Sequence, residues 1–434
     1  MIILVIILNI VTILLACKHF EKSILKYSII LFNCAFFCYS CLGISTYSLD
    51  EGYYLSYCLS MFTMNLFFVV GNIFYKRLFC NKMNLMDKVN NTITRHSSIV
   101  RLFAIIYFLL KVILLVYPEN LLVYLFSGPN FIYGDMLTAI RASYNTTFGH
   151  LMSTVETILL PFAYLYLSSK KTSVVVVYFI FDCICTYLEG HGAIGRLSII
   201  STLIILCCLL FQRTKTKKEK RIVTIACSAV ALGCFVIYVF LEGLRSGVDL
   251  NISSINIGDA IKSFADSEFN YPKNYALAEK LHDRGVYKSS TFWLWLLTLP
   301  IPKSFITIPG VDTTNSIIYR VFSYYFFGKK WYFESGVGGV LLSVLGDGIM
   351  VYGRFWAFII MIPFAFFIMF YLSFLADLKN GKLLLASTMI YFFVSYRPGV
   401  QYGLTQYATF ISFIVIIVLL HIFKNDSKYR LEEI

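Results

Sequence analysis

Apolar stretches of roughly bilayer-crossing length recur from the first residue to position 423, and polar residues collect in the gaps between them. A helix needs about 20 mainly apolar residues to cross the hydrocarbon core. The stretches at 1–17, 27–47, 53–75, 102–118, 148–168, 172–188, 194–212, 221–241, 354–375, 383–397 and 405–423 meet or approach that length. They predict an all-α polytopic integral membrane protein, a single membrane domain with about 11 transmembrane helices. The first stretch lacks the basic start and small-residue cleavage site of a removable signal, so it is expected to stay as a span.

Basic residues then supply a direction. Every second gap, at 18–26, 76–101, 170–171, 213–221, 379–382 and 424–430, is basic, and together these hold 22 of the 37 Lys and Arg residues. Lys and Arg concentrate on the cytoplasmic side of a membrane. The N-terminus is therefore expected outside and the C-terminal tail in the cytoplasm. The alternate gaps are short, apart from one of about 110 residues at 242–352. That segment is the expected large extracytoplasmic (periplasmic) loop, and function is expected there.

Composition narrows the class. A mean hydropathy of +0.74, with 58% hydrophobic and 14% charged residues, excludes an ordinary soluble domain. The net charge of +13 is no sign of nucleic-acid binding. Most of it falls in cytoplasmic turns, too short to fold into such a surface, where it orients helices and meets anionic headgroups. The 12 Cys lie in or beside apolar stretches and none falls in 242–352, so no secreted-type disulfide framework is expected. The six His show no His-x-x-x-His or Cys/His array, so no metal site is expected. No Walker sequence or Gly-x-Gly-x-x-Gly falls on a cytoplasmic strand–helix unit, and no Gly-x-Ser-x-Gly is evident. No cofactor is expected, and any reaction must use an already activated substrate. Many of the 31 Tyr and 40 Phe, including Tyr53, Tyr54, Tyr117, Tyr164, Tyr166, Tyr371, Tyr391 and Tyr396, fall near span ends and suggest an interfacial aromatic belt.

The long gap has its own pattern. Asp259 is placed to cap a helix over 260–269, Pro272 to break it, and 274–282 to form a second helix. The apolar run 291–302 is too short to span and suits the outer headgroup layer, with Trp293 and Trp295 as anchors. The Gly-rich stretch 336–353 carries Asp347 and reads as re-entrant, which is tolerated where protein or a water-filled cavity surrounds it.

Charges in or beside spans are costly and draw attention. Lys111, Glu156 and Asp182 form the intramembrane set, with pairing between helices as the simplest account. Arg141, Arg196, Arg245, Arg354 and Arg397 stand at outer span ends, against the charge rule. Guanidinium offers planar, bidentate donors to phosphate oxygens. A ring of Arg at headgroup level would suit a lipid-linked phosphate or pyrophosphate. Acid–base candidates on that side are Asp347, Glu242, Glu268, His191 and His282.

Many spans, one long outer loop late in the chain, outer-face Arg and no nucleotide site together resemble the O-antigen or capsule repeat-unit polymerases (the Wzy type). Gly190-His-Gly-Ala-Ile-Gly-Arg196-Leu is similar to that family's Gly-rich, Arg-bearing approach to a middle span. Leu299-Pro-Ile-Pro302-Lys303 resembles the Pro-bearing segment of its outer loop. The stretch 336–353 resembles its Gly-rich, acid-containing approach to the next span. There the family commonly has Glu and ends in Asn-Phe-Gly; here the acid is Asp347 and the ending Val351-Tyr352-Gly353.

The resemblance implies transfer of a glycan from polyprenyl pyrophosphate to a second lipid-linked repeat unit, on the outer face of the bacterial inner membrane, without metal or nucleotide. It implies Arg196, Arg245 and Arg397 as the first pyrophosphate-binding residues, then Arg320 and Arg354, with Arg141 in the same ring. Asp347 is the first base implied and His282 the second. Tyr271, Tyr275 and Tyr319 could stack on sugar rings, with packing the favoured role for each. Implied partners are the polyprenyl-pyrophosphate-linked oligosaccharides, membrane lipids, a chain-length regulator and a flippase. The rival readings are a flippase or other transporter of the same lipid-linked substrate, an O-antigen ligase, and a decorating acyltransferase.

Overall fold

The computed structural model describes residues 1–20, 23–44, 46–81, 85–116, 147–189, 205–207, 210, 213–245, 270–299, 317–328 and 340–429. Their regular structure is helical throughout, with no strand among the described residues. In lipid an unbonded backbone N–H or C=O finds no water, and a helix satisfies these groups within one segment. The α-helices are α1 (Ile2–His19), α2 (Ile24–Ser40), α3 (Gly52–Tyr75), α4 (Leu85–Arg95), α5 (Ser97–Val116), α6 (Thr147–Ser168), α7 (Thr172–Glu189) and α8 (Lys217–Arg245). They continue as α9 (Tyr275–Asp283), α10 (Ser289–Thr298), α11 (Ile318–Phe327), α12 (Ser343–Tyr352), α13 (Met361–Ala376), α14 (Lys382–Ser395), α15 (Val400–Leu404) and α16 (Gln406–Tyr429).

Among the described residues, four helices are long and apolar enough to cross a membrane: Ile2–His19, Gly52–Phe79, Ala357–Ala376 and Val400–Ile422. Leu85–Arg95 and Ser97–Ile113, bent by 72°, make a fifth if counted as one span. Two other stretches read as spans form shorter apolar helices, Ile24–Ser40 and Lys382–Ser395, and the stretches 148–168 and 172–188 fall on α6 and α7. Most of the stretch 194–212 lies outside the described residues.

The core is built on α3 and α13, which run parallel. Gly52 meets the Arg354 guanidinium, Gly71 meets the backbone of Phe366, and the Tyr75 hydroxyl donates to Asp377 Oδ2 at 2.8 Å. A Cβ on Gly71 would lie 2.8 Å from Phe366 O, so this glycine sets how closely the two helices approach. Phe74, Tyr75 and Phe79 interlock with Phe366, Phe370 and Phe374, and Phe410 of α16 packs on Phe367, Phe370, Tyr371 and Phe374. The aromatic belt expected from sequence is in part this core. Tyr53, Tyr54, Tyr164, Tyr371 and Tyr396 are buried, Tyr166 and Tyr391 are half-buried, and Tyr117 lies outside the described residues. An aromatic ring suits a helix–helix seam as well as a headgroup layer, so proximity to a span end does not separate the two.

Polar side chains pin the helices. Asn33 and Asn65 exchange amide hydrogen bonds at 2.8 and 3.0 Å, and the Tyr57 hydroxyl donates to Asn9 Oδ1 at 2.9 Å. Lys111 reaches Glu156 and Asp182, the pairing expected of the intramembrane charges.

The bundle has two chemically distinct ends. One joins α4 to the α13–α14 turn, where Asn90 bonds the Asp377 carbonyl and the Lys379 amide, and to α16 through Thr92 and His421. The basic segments around 76–95 and 379–382 belong to this end. At the opposite end the α2–α3 turn, α9, α12 and the α14–α15 turn meet through Ser40, Tyr53, Glu279, Ser343, Arg354 and Arg397.

Candidate functional site

Helix α12 organises this second end. Its sequence, Ser-Val-Leu-Gly-Asp-Gly-Ile-Met-Val-Tyr, buries nine of ten residues, Ser343 through Val351. Nine of the last ten residues of the expected outer loop are therefore enclosed by protein, as a non-spanning apolar segment requires. Two glycines permit the fit. A Cβ on Gly346 would lie 3.0 Å from the Tyr275 ring, and one on Gly348 would lie 2.5 Å from Ala357 O.

At the start of α12, the Ser343 and Val344 amides donate to the carbonyls of Arg397 and Tyr396, each at 3.2 Å. The Ser343 hydroxyl bonds the Tyr275 hydroxyl at 2.8 Å and Ser40 Oγ at 3.2 Å, and Tyr275 also donates to the Ser40 carbonyl at 3.1 Å. At the other end Gly353, with φ of +78°, closes against the His282 ring.

Asp347 lies mid-helix and is 2% exposed. Its Oδ2 accepts from the Val400 amide at 2.8 Å, and the Gln401 amide also donates to the carboxylate. Oδ1 has no hydrogen-bond partner among the described residues. Burial pushes this carboxyl well above the ordinary carboxylate range, while the two backbone donors pull it down. Placed in the loop by sequence as the first base, Asp347 is instead enclosed and holds the first amides of α15. That contact joins residues 53 positions apart.

His282 is half-buried on α9, and its Nδ1 is buried with no hydrogen-bond partner among the described residues. Arg354 departs from the expected ring. Its Nη1 lies 2.9 Å from Asp50 Oδ2 and its Nε 3.3 Å from Glu279 Oε1, with the Tyr53 ring 5.1 Å away. The Tyr53 hydroxyl donates to Glu279 Oε2 at 2.5 Å. The guanidinium is thus already neutralised and braces α9 against α3. Sequence reasoning left out Asp50 and Glu279, because their partner is about 300 positions away for one and carried on a different element for both.

Arg397 is half-buried on the α14–α15 turn, and Arg320 is half-buried on α11, its Nε 3.4 Å from the Tyr319 hydroxyl. Gln401, also missed, ties the two elements: its Oε1 accepts from the Ile318 amide at 2.7 Å. A lone amide between Pro398-Gly399 and an apolar stretch was the signal available. Arg245 and Glu242 fall in the last turn of α8; Arg141, Arg196, His191, Glu268 and the helix expected at 260–269 lie outside the described residues.

Tyr271 and Tyr275 take the packing role, and the anchor expected at Trp295 changes. Tyr275 is fully buried as a hydroxyl lock, Tyr271 is buried, and Trp295 is buried against Phe292, so none is open to a sugar ring or a headgroup. Trp293 and Leu297 are the exposed apolar residues of α10. Among the described residues, no group of three His, Cys, Asp or Glu is placed to hold a metal ion.

Comparison with protein-family models, with curated proteins and with solved structures returns no match.

Proposed function

We propose that this chain polymerises lipid-linked oligosaccharide repeat units of an O-antigen or capsule at the outer face of the bacterial inner membrane. In this reading about 11 spans cross the membrane, the N-terminus faces outward and the C-terminus faces the cytoplasm. The observation that carries it is the polarity of the bundle. Asp347, His282, Arg354 and Arg397 gather at the end opposite the basic segments around 76–95 and 379–382. Basic segments favour the cytoplasmic side, which turns the Asp347 end outward.

The reaction transfers a glycan from polyprenyl pyrophosphate to an acceptor hydroxyl. Cations stabilise the charge developing on the leaving pyrophosphate, and one base takes the acceptor proton. Arg397 and Arg320, with Arg196 and Arg245, are the cations of this proposal; Arg354 braces the site. His282 is favoured as the base, because its side chain is half-buried while Asp347 is enclosed.

A second reading, a transporter of the same lipid-linked substrate, is favoured by one observation. Lys111, Glu156 and Asp182 form a charged cluster inside the bundle, as transport pathways do.

Deleting the gene in its host and resolving the surface polysaccharide on a gel separates the readings. Polymerase function predicts collapse of the ladder to core plus one repeat. Loss of the single-repeat band as well means transport or ligation, and an unchanged ladder rejects all three. Arg196→Ala is expected to shorten chains at normal protein level.

A further inference from the structure

We infer that Asp347 is a positioning residue, whose carboxylate grips the α14–α15 turn and thereby fixes where the Arg397 guanidinium stands. The inference rests on the polymerase reading for its consequence and on geometry for its substance.

One ten-residue helix holds the turn from both sides. The first amides of α12, on Ser343 and Val344, bond the carbonyls of Arg397 and Tyr396, which close α14. One turn further along α12, Asp347 receives the amides of Val400 and Gln401, which open α15. Unpaired first amides of a helix are stabilised by a side-chain acceptor. Between the two grips Pro398 has a restricted φ, and Gly399 adopts φ of +114° while its amide bonds the Ser395 carbonyl at 3.2 Å. A Cβ on Gly399 would lie 2.1 Å from Asp347 Oδ2, so the carboxylate seats directly against the glycine backbone. Arg397 is carried inside this held turn. Gln401 extends the grip to the Ile318 amide, two residues from Arg320.

A base must open its carboxylate to the acceptor hydroxyl. Asp347 is 2% exposed and has one oxygen committed to backbone amides. A positioning role needs an acceptor oxygen at that point and no proton transfer. An amide side chain supplies such an oxygen but cannot act as the base.

The test compares Asp347→Asn with Asp347→Ala. One arm reads ladder length in the host. The other reads hydrogen exchange at Val400 and Gln401 in the detergent-solubilised full chain, which does not depend on activity. Asp347→Asn is expected to keep a long ladder and slow exchange. Asp347→Ala is expected to speed exchange about fivefold to tenfold, as loss of a helix cap does, and to shorten the ladder. Collapse of the ladder in Asp347→Asn with exchange unchanged overturns the inference in favour of proton transfer. Unchanged exchange in Asp347→Ala overturns the grip itself. If the alanine variant fails to accumulate, the asparagine arm decides alone. If deletion of the gene leaves the ladder normal, the polymerase reading fails and the exchange arm still tests the grip.

Discussion

The Lys111 ammonium stands 3.1 Å from Glu156 Oε1, in a part of the bundle where both side chains are largely enclosed. Asp182 Oδ1 lies 3.5 Å from the same nitrogen, so one cation on α5 ties α6 and α7 together. Removing one member of an enclosed ion pair strands its partners, at a cost of about 3–5 kcal/mol. Lys111→Met is expected to lower thermal stability in detergent sharply. Adding Glu156→Gln and Asp182→Asn should recover most of the loss. A single variant as stable as the wild type would show that the cluster is not coupled.

Asp50 and Arg354 supply a pH-dependent prediction. The Gly52 amide first, and the Arg354 guanidinium second, hold the Asp50 carboxyl below its ordinary value. A depressed folded pKa gives stability that is present above the unfolded value, about 3.9, and lost as pH falls through the folded one. The melting-temperature gap between wild type and Asp50→Asn should be constant from about pH 8 to 5 and close below about pH 4. Because the Asp50 side chain is 64% exposed, the gap should also narrow in salt. A gap that widens on acidification would contradict the pairing.

Gly71 tests the α3–α13 seam. A methyl there meets the Phe366 carbonyl oxygen at 2.8 Å, and backbone cannot swing aside as a flexible side chain can. Gly71→Ala is expected to destabilise by about 1–3 kcal/mol, the usual range for overpacking, and Gly71→Leu by more. Denaturation in mixed micelles would measure both; a neutral Gly71→Leu would mean the helices are not seated this closely.

Gly399 and Asp347 should be energetically coupled. Gly399→Ala drives a Cβ into the carboxylate and also strains a backbone held at φ of +114°. Asp347→Ala removes the clash but leaves that strain. A double-mutant cycle is expected to show a coupling of about 0.5–3 kcal/mol, the range for residues in contact. Strict additivity would place the two side by side without interaction.

Much of the helical content could be read from position alone. The apolar stretch 53–75 falls within α3, 405–423 falls within α16 but for its first residue, and 354–375 covers most of α13. The helix expected at 274–282 matches α9 within one residue. The site was less legible. Arg354 reads on paper as a phosphate ligand, yet its charge is spent on Asp50, 304 positions away, and on Glu279. Tyr275 left packing and sugar stacking both open in sequence; its ring is enclosed and its hydroxyl is bonded to Ser40 and Ser343.

What the amino-acid order determined by itself is therefore what depends on short stretches: apolar length, helix, and the alternation of basic gaps. Those properties follow from transfer of side chains and backbone into lipid, and each is local to its segment. Tertiary structure alone decided which apolar faces meet protein, and which charged groups are already paired. Lipid and a neighbouring helix are equally apolar to a side chain, so hydropathy cannot separate them. The enclosure of Asp347 and the bracing of Arg354 arise only when distant segments meet with a particular helix rotation.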